Sequence, residues 1–334
     1  MLEKLLKLSV DLISFLQTNL AFLTPIMRFF TFLGNEEFYL LIMPFFVWSV
    51  DYMLGLRLGV MLMLSGTFNS YLKVIFHQPR PYWISSEIKN LTQPMDSFGL
   101  PSGHSQNAAS VFGLLATAAR KKWVRITVIL IILLIAISRL FLGVHSIADV
   151  VLGLSMGFIL LWGFKKQERR VVDFFKPRLP FYQILFAFFL SAGMLLLAMV
   201  LVNQYQAIPL NNEWLDNFQV AHPQAQFAPY SLDGVITTTG TLFGLVLGAV
   251  LLKKYGGYNQ ACQQKWKHLL RFLIGIAGVL LIWRGLGNVF PRGDDLLSCC
   301  LRYIRYALIG LWISGLAPLV FIKTKLAANS GIYN

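Results

Sequence analysis

The chain has 334 residues, of which 56% are hydrophobic and only 13% are charged, and its mean hydropathy is +0.62. Soluble domains carry about 25% charged residues, so this composition excludes a soluble protein and favours helices that cross a membrane. In a soluble protein the net charge of +14 would suggest nucleic acid. In a membrane protein basic residues collect in cytoplasmic loops, so we expect no nucleic-acid partner.

The first twenty residues predict an amphipathic helix on the membrane surface. Leu2, Leu6, Ile13 and Leu16 recur at near-helical spacing, which places them on one apolar face. Asp11 interrupts any apolar core of the kind that a cleaved signal peptide needs. We therefore expect an N-terminal interfacial helix that is retained in the protein.

Nine further segments are apolar over most or all of the length that a membrane span requires, which is about 20 residues. The predicted spans are 38–50, 54–76, 104–119, 124–142, 147–164, 182–202, 235–252, 269–286 and 304–322. The first and third are short, so a count of eight also remains open. The predicted fold is all-α: a polytopic membrane bundle of about nine transmembrane helices.

Basic residues are distributed unequally between the two ends of these spans. If the spans alternate, 18 of the 29 Lys and Arg residues fall on one side, whereas the opposite loop at 203–234 has none. The positive-inside rule then places the basic side in the cytoplasm, with the N-terminus outside and the C-terminus inside. We expect a multi-pass protein of a bacterial plasma membrane. Arg284 and Arg302 are interpreted as interfacial residues that extend their charges to water.

The hydrophobic pattern breaks at 165–180, where charges and two prolines interrupt it. This break predicts a first bundle at 1–165 and a second bundle of about four helices at 166–334, whose function is unknown. Glycines repeat every four residues in the second bundle, at Gly240, Gly244 and Gly248. That spacing lets two helices approach closely.

The chain has three cysteines, Cys262, Cys299 and Cys300. Their spacing matches neither a disulfide framework nor a zinc site.

Three segments of the first bundle place ionisable residues in the membrane or at its edge. They contribute Lys73 and Arg80, then the sequence PSGH at 101–104, and then Arg139, His145 and Asp149. From His104 to Lys121 is 17 residues, and from Lys122 to Arg139 is again 17. Because two helical legs of equal length match in rise, Arg139 returns to the depth of His104.

The chemistry of these residues suits a phosphate monoester. Lys73, Arg80 and Arg139 would repel one another at low dielectric unless an anion lay between them. Ser102 and Gly103 begin a helix, where backbone N–H groups favour an anion.

The two histidines suit the transfer of that phosphate. His145 and Asp149 are four residues apart, so they share a face if the fifth helix has begun, and the carboxylate can then hold one imidazole nitrogen and leave the other free to attack. His104 can protonate the leaving oxygen.

The three segments read K-x6-RP at 73–81, PSGH at 101–104 and SR-x5-H-x3-D at 138–149. In order and spacing they resemble the signature of the type 2 phosphatidic acid phosphatase superfamily over about residues 20–165, and more loosely the glucose-6-phosphatase branch. The resemblance implies that His145 is the nucleophile that forms a phosphohistidine, Asp149 orients it and His104 is the general acid. The residues implied to bind the phosphoryl oxygens are Lys73, Arg80, Ser102, Gly103 and Arg139. The resemblance also implies catalysis without a metal or other cofactor.

We therefore predict an integral membrane phosphatase whose substrate is a lipid or isoprenoid phosphate of the bilayer, with phosphatidate-like lipids favoured and the site outside the cytoplasm. A polyprenyl diphosphate and a sugar phosphate remain alternatives, because the motif contacts only the phosphoryl group. Vanadium haloperoxidases have a similar signature, but they are soluble. A transporter is the non-enzymatic alternative, since buried charges also mark ion pathways. The oligomeric state and the role of the loop at 205–233 remain open.

Overall fold

The computed structural model describes residues 2–261 and 264–330, with side chains from residue 6. Within these ranges the regular structure is helical, apart from one isolated β-bridge between Asn259 and Ala328. The helices are α1 (Leu2–Asn19), α2 (Thr24–Phe32), α3 (Glu36–Phe45), α4 (Tyr52–Phe76), α5 (Pro81–Ile84), α6 (Gly103–Asn107), α7 (Gly113–Ala118), α8 (Lys122–Phe141), α9 (Ile147–Phe175), α10 (Pro180–Tyr205), α11 (Asn212–Ala221), α12 (Asp233–Lys254), α13 (Lys265–Leu280), α14 (Gly287–Val289), α15 (Leu296–Leu311) and α16 (Ala317–Lys323). Wide π-helical turns continue α3, α6, α13 and α15 at Phe46–Val50, Ala108–Phe112, Leu281–Leu286 and Trp312–Leu316.

Among the described residues, seven helical segments are long and apolar enough to cross a membrane. They are Tyr52–Ile84, Lys122–Phe141, Ile147–Phe175, Pro180–Tyr205, Asp233–Lys254, Lys265–Val289 and Leu296–Lys323. The count rises to eight if Leu6–Asn19 and Ala21–Phe32, which meet at 84°, form one broken span. The polytopic helical bundle is confirmed.

The two short predicted spans account for the difference from nine. Both are helical, but Glu36–Phe45 with its π turn and the helix at 103–118 are shorter than the roughly 20 residues of a typical span, so neither is counted among the seven. The predicted N-terminal helix is present as α1, and its place at the membrane surface stays a prediction. Cys262 lies outside the described residues, and Cys299 and Cys300 are free thiols.

The chain divides into two compact units, each assembled from three stretches. The first unit contains Met1–Phe38, Phe68–Lys165 and Ala198–Leu232, and the second contains Tyr39–Thr67, Lys166–Leu197 and Asp233–Asn334. The predicted border after residue 165 recurs here, but residues 39–67 join the second unit and residues 198–232 join the first. Separate roles for 1–165 and 166–334 stay a prediction.

In the first unit, the long loop at 205–233 packs against the short helix α5. Its helix α11 buries Phe218 completely, with the ring centroid 6.3 Å from that of Trp83. Asn217 donates to the carbonyl oxygen of Trp83 at 2.9 Å. Tyr230 Oη lies 2.9 Å from His77 Nδ1. The loop is therefore an ordered part of the unit that carries all three motif segments.

In the second unit, α12 packs closely against α15 through the predicted glycine repeat. A Cβ atom on Gly244 would overlap the carbonyl oxygen of Ala307, and one on Gly248 would overlap Ser314 Oγ. A Cβ on Gly240 would lie 2.7 Å from the carbonyl oxygen of Tyr303. The predicted close helix packing is confirmed, because larger side chains would push the two backbones apart.

Candidate active site

His145 is held between a carboxylate and a guanidinium. It lies in the link between α8 and α9, and its Nδ1 is 3.3 Å from Oδ2 of Asp149 in the first turn of α9. The amide of Ser146 donates to the same carboxylate oxygen at 2.7 Å. His145 Nε2 lies 3.2 Å from Nη1 of Arg80. Because a guanidinium only donates, Nε2 accepts and the ring proton is on Nδ1. Nε2 thus keeps the lone pair that a nucleophile requires.

The surroundings of His145 favour its neutral form. The side chain is 2% exposed. Burial lowers the pKa of His145 well below its ordinary value of about 6.5, and the positive charges of Arg80, Arg139 and Lys73 lower it further. The imidazole is therefore a free base at neutral pH.

Ser97 brings the two cations of the first segment together. Lys73 Nζ donates to Ser97 Oγ at 3.1 Å and to the carbonyl oxygen of Phe98 at 2.5 Å. Arg80 donates through Nε to the Ser97 carbonyl oxygen at 2.7 Å and through Nη2 to its hydroxyl at 3.1 Å. Burial raises the pKa of the adjacent Asp96 carboxyl, and the charges of Arg80 and Lys73 act in the opposite direction.

Arg139 near the end of α8 is completely buried, and its donors are poorly satisfied. Nη1 donates to Thr31 Oγ1, and Nη2 lies 3.3 Å from Sδ of Met95, a weak acceptor. Among the described residues, Nε has no hydrogen-bond partner and no carboxylate lies within ion-pair distance. A buried charge with an unused donor is costly unless an anion binds to it.

The PSGH segment is attached to α9. Ser102 is completely buried, and its amide donates to the backbone oxygen of Asp149 at 2.9 Å. The expectation that this amide is free to cradle an anion is therefore wrong, and Ser102 can reach an anion only through its hydroxyl hydrogen. A Cβ on Gly103 would lie 3.0 Å from Oδ1 of Asn69 on α4. The absence of a side chain at Gly103 allows this close approach.

The N-terminal segment holds His104. His104 Nε2 lies 2.9 Å from Oδ1 of Asn35, and a Cβ on Gly34 would lie 2.7 Å from Cδ2 of the imidazole. Thr31, one turn before Asn35, accepts from Arg139. The same short segment thus contacts His104 and Arg139, as expected if they lie at one depth. The described side chains make no direct hydrogen bond between His104 and His145.

Several residues outside the motif contact it, among them Thr31, Asn35, Asn69, Met95 and Ser97. Asn69 carried a usable signal, because it is a strongly polar residue one helical turn before Lys73 in an otherwise apolar segment. Asn35, Met95 and Ser97 lie in turns and loops, where sequence spacing does not indicate which side chains meet, and Thr31 lies at the end of α2, far from Arg139 in the sequence.

The arrangement is suited to phosphoryl transfer. The unprotonated Nε2 of His145 accepts from the Arg80 guanidinium, and preorganised cations can neutralise the charge of a transferring phosphoryl group. Within residues 2–261 and 264–330, no three His, Cys, Asp or Glu side chains form a group that could hold a metal ion. The fold and this site together define a polytopic helical membrane protein with a buried, positively charged site in its first unit.

Family comparisons agree with this description. The model of the PAP2 superfamily matches residues 54–173, a range that contains all eight predicted site residues. The model of the PAP2 superfamily phosphatase transmembrane extension matches residues 236–329. Together they match more than half of the chain, which belongs to the PAP2 superfamily. The predicted resemblance is confirmed, and it extends into the second half of the chain, where no motif was evident.

Individual proteins match either a shorter stretch of the chain or a longer stretch at lower identity. Sphingosine-1-phosphate phosphatase 1 of Rattus norvegicus is 31% identical over 140 residues, which are 40% of this chain and 32% of that protein. Glucose-6-phosphatase 2 of Homo sapiens is 23% identical over 303 residues, 79% of this chain and 81% of that protein. The crystal structure of a transmembrane PAP2-type phosphatidylglycerolphosphate phosphatase from Bacillus subtilis is 27% identical and covers 49% of this chain and 87% of that chain, with a TM-score of 0.41. The chain spans about a third of the length of the first of these relatives.

Proposed function

We propose that the protein is a membrane-integral phosphatase that hydrolyses the phosphate monoester of a lipid. The observation that carries this proposal is the His145 imidazole, fixed through Nδ1 by Asp149 and presenting its unprotonated Nε2 to Arg80. An imidazole in this state can attack phosphorus, and the cation beside it can stabilise the charge on the phosphoryl oxygens.

The proposed reaction has two steps. In the first, His145 Nε2 bonds to phosphorus while the bond to the ester oxygen breaks, and His104 protonates that oxygen so that the alcohol leaves. In the second, His104 takes a proton from water, the water oxygen bonds to phosphorus, and the bond to Nε2 breaks to release phosphate. Lys73, Arg80 and Arg139 hold the phosphoryl oxygens throughout, which supplies the charge neutralisation that a metal ion provides elsewhere.

Ser102 and Gly103 complete the proposed phosphate site. The hydroxyl of the buried Ser102 has a hydrogen to donate, and Gly103 lets the chain pass close to Asn69. Asn69 Nδ2 donates to the carbonyl oxygen of Pro101 at 3.2 Å, which fixes the segment before the helix begins. These contacts favour a preorganised anion site over one that forms only when substrate binds.

A phosphatidate-like lipid is the substrate class we favour. One matched relative is a sphingosine-1-phosphate phosphatase, and the helices that carry the site include segments apolar enough to cross a membrane. A sugar phosphate is the second candidate, because glucose-6-phosphatase 2 matches over 79% of this chain. A polyprenyl diphosphate fits the same phosphoryl contacts.

We place the site on the extracytoplasmic side of a bacterial plasma membrane, because alternation of the nine predicted spans puts the basic loops at the opposite ends. A cysteine introduced by Gln78→Cys should react with a membrane-impermeant thiol reagent in intact cells, whereas one introduced by Lys122→Cys should not. The reverse labelling pattern would move the site to the cytoplasmic side.

The activity is tested by phosphate release from purified full-length protein in detergent, with EDTA present. The substrates are phosphatidate, phosphatidylglycerophosphate, undecaprenyl diphosphate and glucose 6-phosphate. We expect turnover in EDTA, with a lipid monoester preferred by kcat/KM. A preference for glucose 6-phosphate would indicate that the substrate is a sugar phosphate. No release from any substrate, with the protein folded, would favour a transporter.

A further inference from the structure

The second unit contains an arginine-lined cavity, separate from the motif residues of the first unit. It has a volume of about 430 Å³ and lies between the π turn that follows α13, with α14 and the loop after it, and the middle of α15. Four of the residues that line it are arginines: Arg284, Arg292, Arg302 and Arg305. Arg284 and Arg302, interpreted from the sequence as interfacial residues that extend their charges to water, both line this cavity.

The positive charge of the cavity is largely unbalanced. Within the described part of the chain, only Arg302 has a carboxylate within ion-pair distance, that of Asp233. Arg292 donates to the backbone oxygen of Gly287 at 3.3 Å. Arg305 Nε is buried and has no hydrogen-bond partner among the described residues. Four guanidiniums share one carboxylate, so an anion would relieve their mutual repulsion and satisfy the unused donors.

The arginines are also held in defined positions. The Arg284 guanidinium carbon lies 5.5 Å from the ring centre of Trp283, and that of Arg305 lies 4.9 Å from the ring centre of Tyr306. A Cβ on Gly287 would lie 2.6 Å from Arg305 Nη1, so the glycine leaves room for the guanidinium. A guanidinium that lies against an aromatic ring has fewer positions open to it, which favours two-point binding of phosphate.

The choice of residue argues against simple anchoring at the interface. Between residues 281 and 305 the chain has four arginines and no lysine, although either residue can extend its charge to water. The lysines of these helices are at their other ends, at Lys265 and Lys267 in α13 and at Lys323 in α16. Arginine alone offers the planar fork that matches two phosphate oxygens.

Exposed aliphatic side chains flank the cavity-lining residues in the chain. Leu281 is 73% exposed, Val289 is 77% exposed and Leu296 is 77% exposed. Such side chains are stable in contact with acyl chains and unstable in water. We propose that this cavity binds the phosphate of an anionic phospholipid headgroup, with the acyl chains lying against these aliphatic residues. The proposal does not depend on the phosphatase activity of the first unit.

The experiment measures lipid binding to the purified full-length protein in neutral detergent, as dissociation constants from native mass spectrometry. The ligand is phosphatidylglycerol, a phosphodiester that a monoesterase leaves intact. Phosphatidylcholine, glycerol 3-phosphate and inorganic phosphate are the comparison ligands. The cavity variants are the double change Arg284→Gln with Arg305→Gln, and the single change Arg292→Gln at an exposed position.

Two further variants separate this cavity from other binding. The pair Arg169→Gln with Arg170→Gln removes the same charge from exposed positions on α9. Arg139→Gln removes the buried guanidinium of the candidate active site. Unfolding temperatures without lipid check that each variant is folded, and Arg292→Gln provides the test if the double variant is not.

We expect phosphatidylglycerol to bind about 100-fold more weakly to the double variant and about tenfold more weakly to Arg292→Gln, because each charged hydrogen bond is equivalent to about tenfold in affinity. The α9 pair and Arg139→Gln should stay within about twofold of wild type. Unchanged binding in the cavity variants, or a loss confined to Arg139→Gln, would overturn the proposal. Equal binding of glycerol 3-phosphate or inorganic phosphate would identify a site for soluble phosphate and overturn the lipid assignment.

Discussion

Both units bury an arginine among apolar helices, but the two guanidiniums differ in their hydrogen-bond partners. In the second unit, Arg271 is fully buried and its Nη1 donates to the carbonyl oxygens of Trp48 and Gln260 and to the hydroxyl of Tyr258. In the first unit, Arg139 is equally buried, but its Nε has no partner among the described residues. A buried guanidinium surrounded by acceptors stabilises a fold, whereas one with unused donors is prepared for a ligand.

The largest expected effect tests whether the first unit contains the nucleophile. We expect His145→Ala to lower kcat by at least about 10⁴-fold, on the scale of removing a nucleophile. Thermal unfolding should change little. His222→Ala in the same unit is the matched control, because His222 contacts Asn90 and none of the motif residues. Activity of His145→Ala within tenfold of wild type would remove His145 from this role.

The second effect contrasts the two buried arginines directly. We expect Arg139→Lys to lower activity by about 100-fold and to abolish most inhibition by orthovanadate, which takes up the geometry of a phosphoryl group in transfer. A lysine cannot hold two oxygens as the planar guanidinium does. Arg271→Lys should lower the unfolding temperature and leave turnover per folded molecule unchanged. Near-normal catalysis by Arg139→Lys with potent vanadate inhibition would mean that phosphate is held elsewhere.

A smaller effect concerns Asn35, which positions His104. We expect Asn35→Ala to lower kcat by about tenfold for an alkyl phosphate, because a displaced general acid protonates the leaving oxygen less well. The loss should be much smaller for an aryl phosphate, whose leaving group needs little protonation. Asn90→Ala, which removes an amide bonded to His222, is the control. Equal losses on both substrates would indicate a structural role for Asn35.

The smallest effect on activity is expected in the second unit. Gly244→Ala places a Cβ against the carbonyl oxygen of Ala307, and overpacking of this kind costs about 1–3 kcal/mol of stability. Gly193→Ala is the matched control, because a Cβ there meets nothing within 4 Å and alanine favours a helix. Unfolding temperature should fall in the first variant and hold or rise in the second, with turnover per folded molecule unchanged in both. Loss of turnover in folded Gly244→Ala would show that the packing of this unit controls activity.

The local hydrophobic pattern of the sequence was sufficient to predict where the long helices lie and in what order the site segments follow. The span predicted at 235–252 is the helix Asp233–Lys254, and the span predicted at 124–142 is Lys122–Phe141. An apolar run of this length has one stable form in a bilayer, because only a helix satisfies its backbone internally. The predicted pairing of His145 with Asp149 is also present, although His145 lies in the link just before α9 and only Asp149 is on the helix.

Contacts between distant segments were decided by the tertiary structure. Asn35 meets His104 from 69 positions away, and Thr31 meets Arg139 from 108 positions away. The amide of Ser102 is occupied by the backbone oxygen of Asp149, although the sequence indicated a free donor. Similarly, Arg284 lies in the π turn after α13, Arg292 in a loop, and Arg302 and Arg305 on α15, and they share one cavity only because that π turn packs against α15. Periodicity determines which face of a helix is apolar, whereas the packing of helices determines which polar groups on different helices meet.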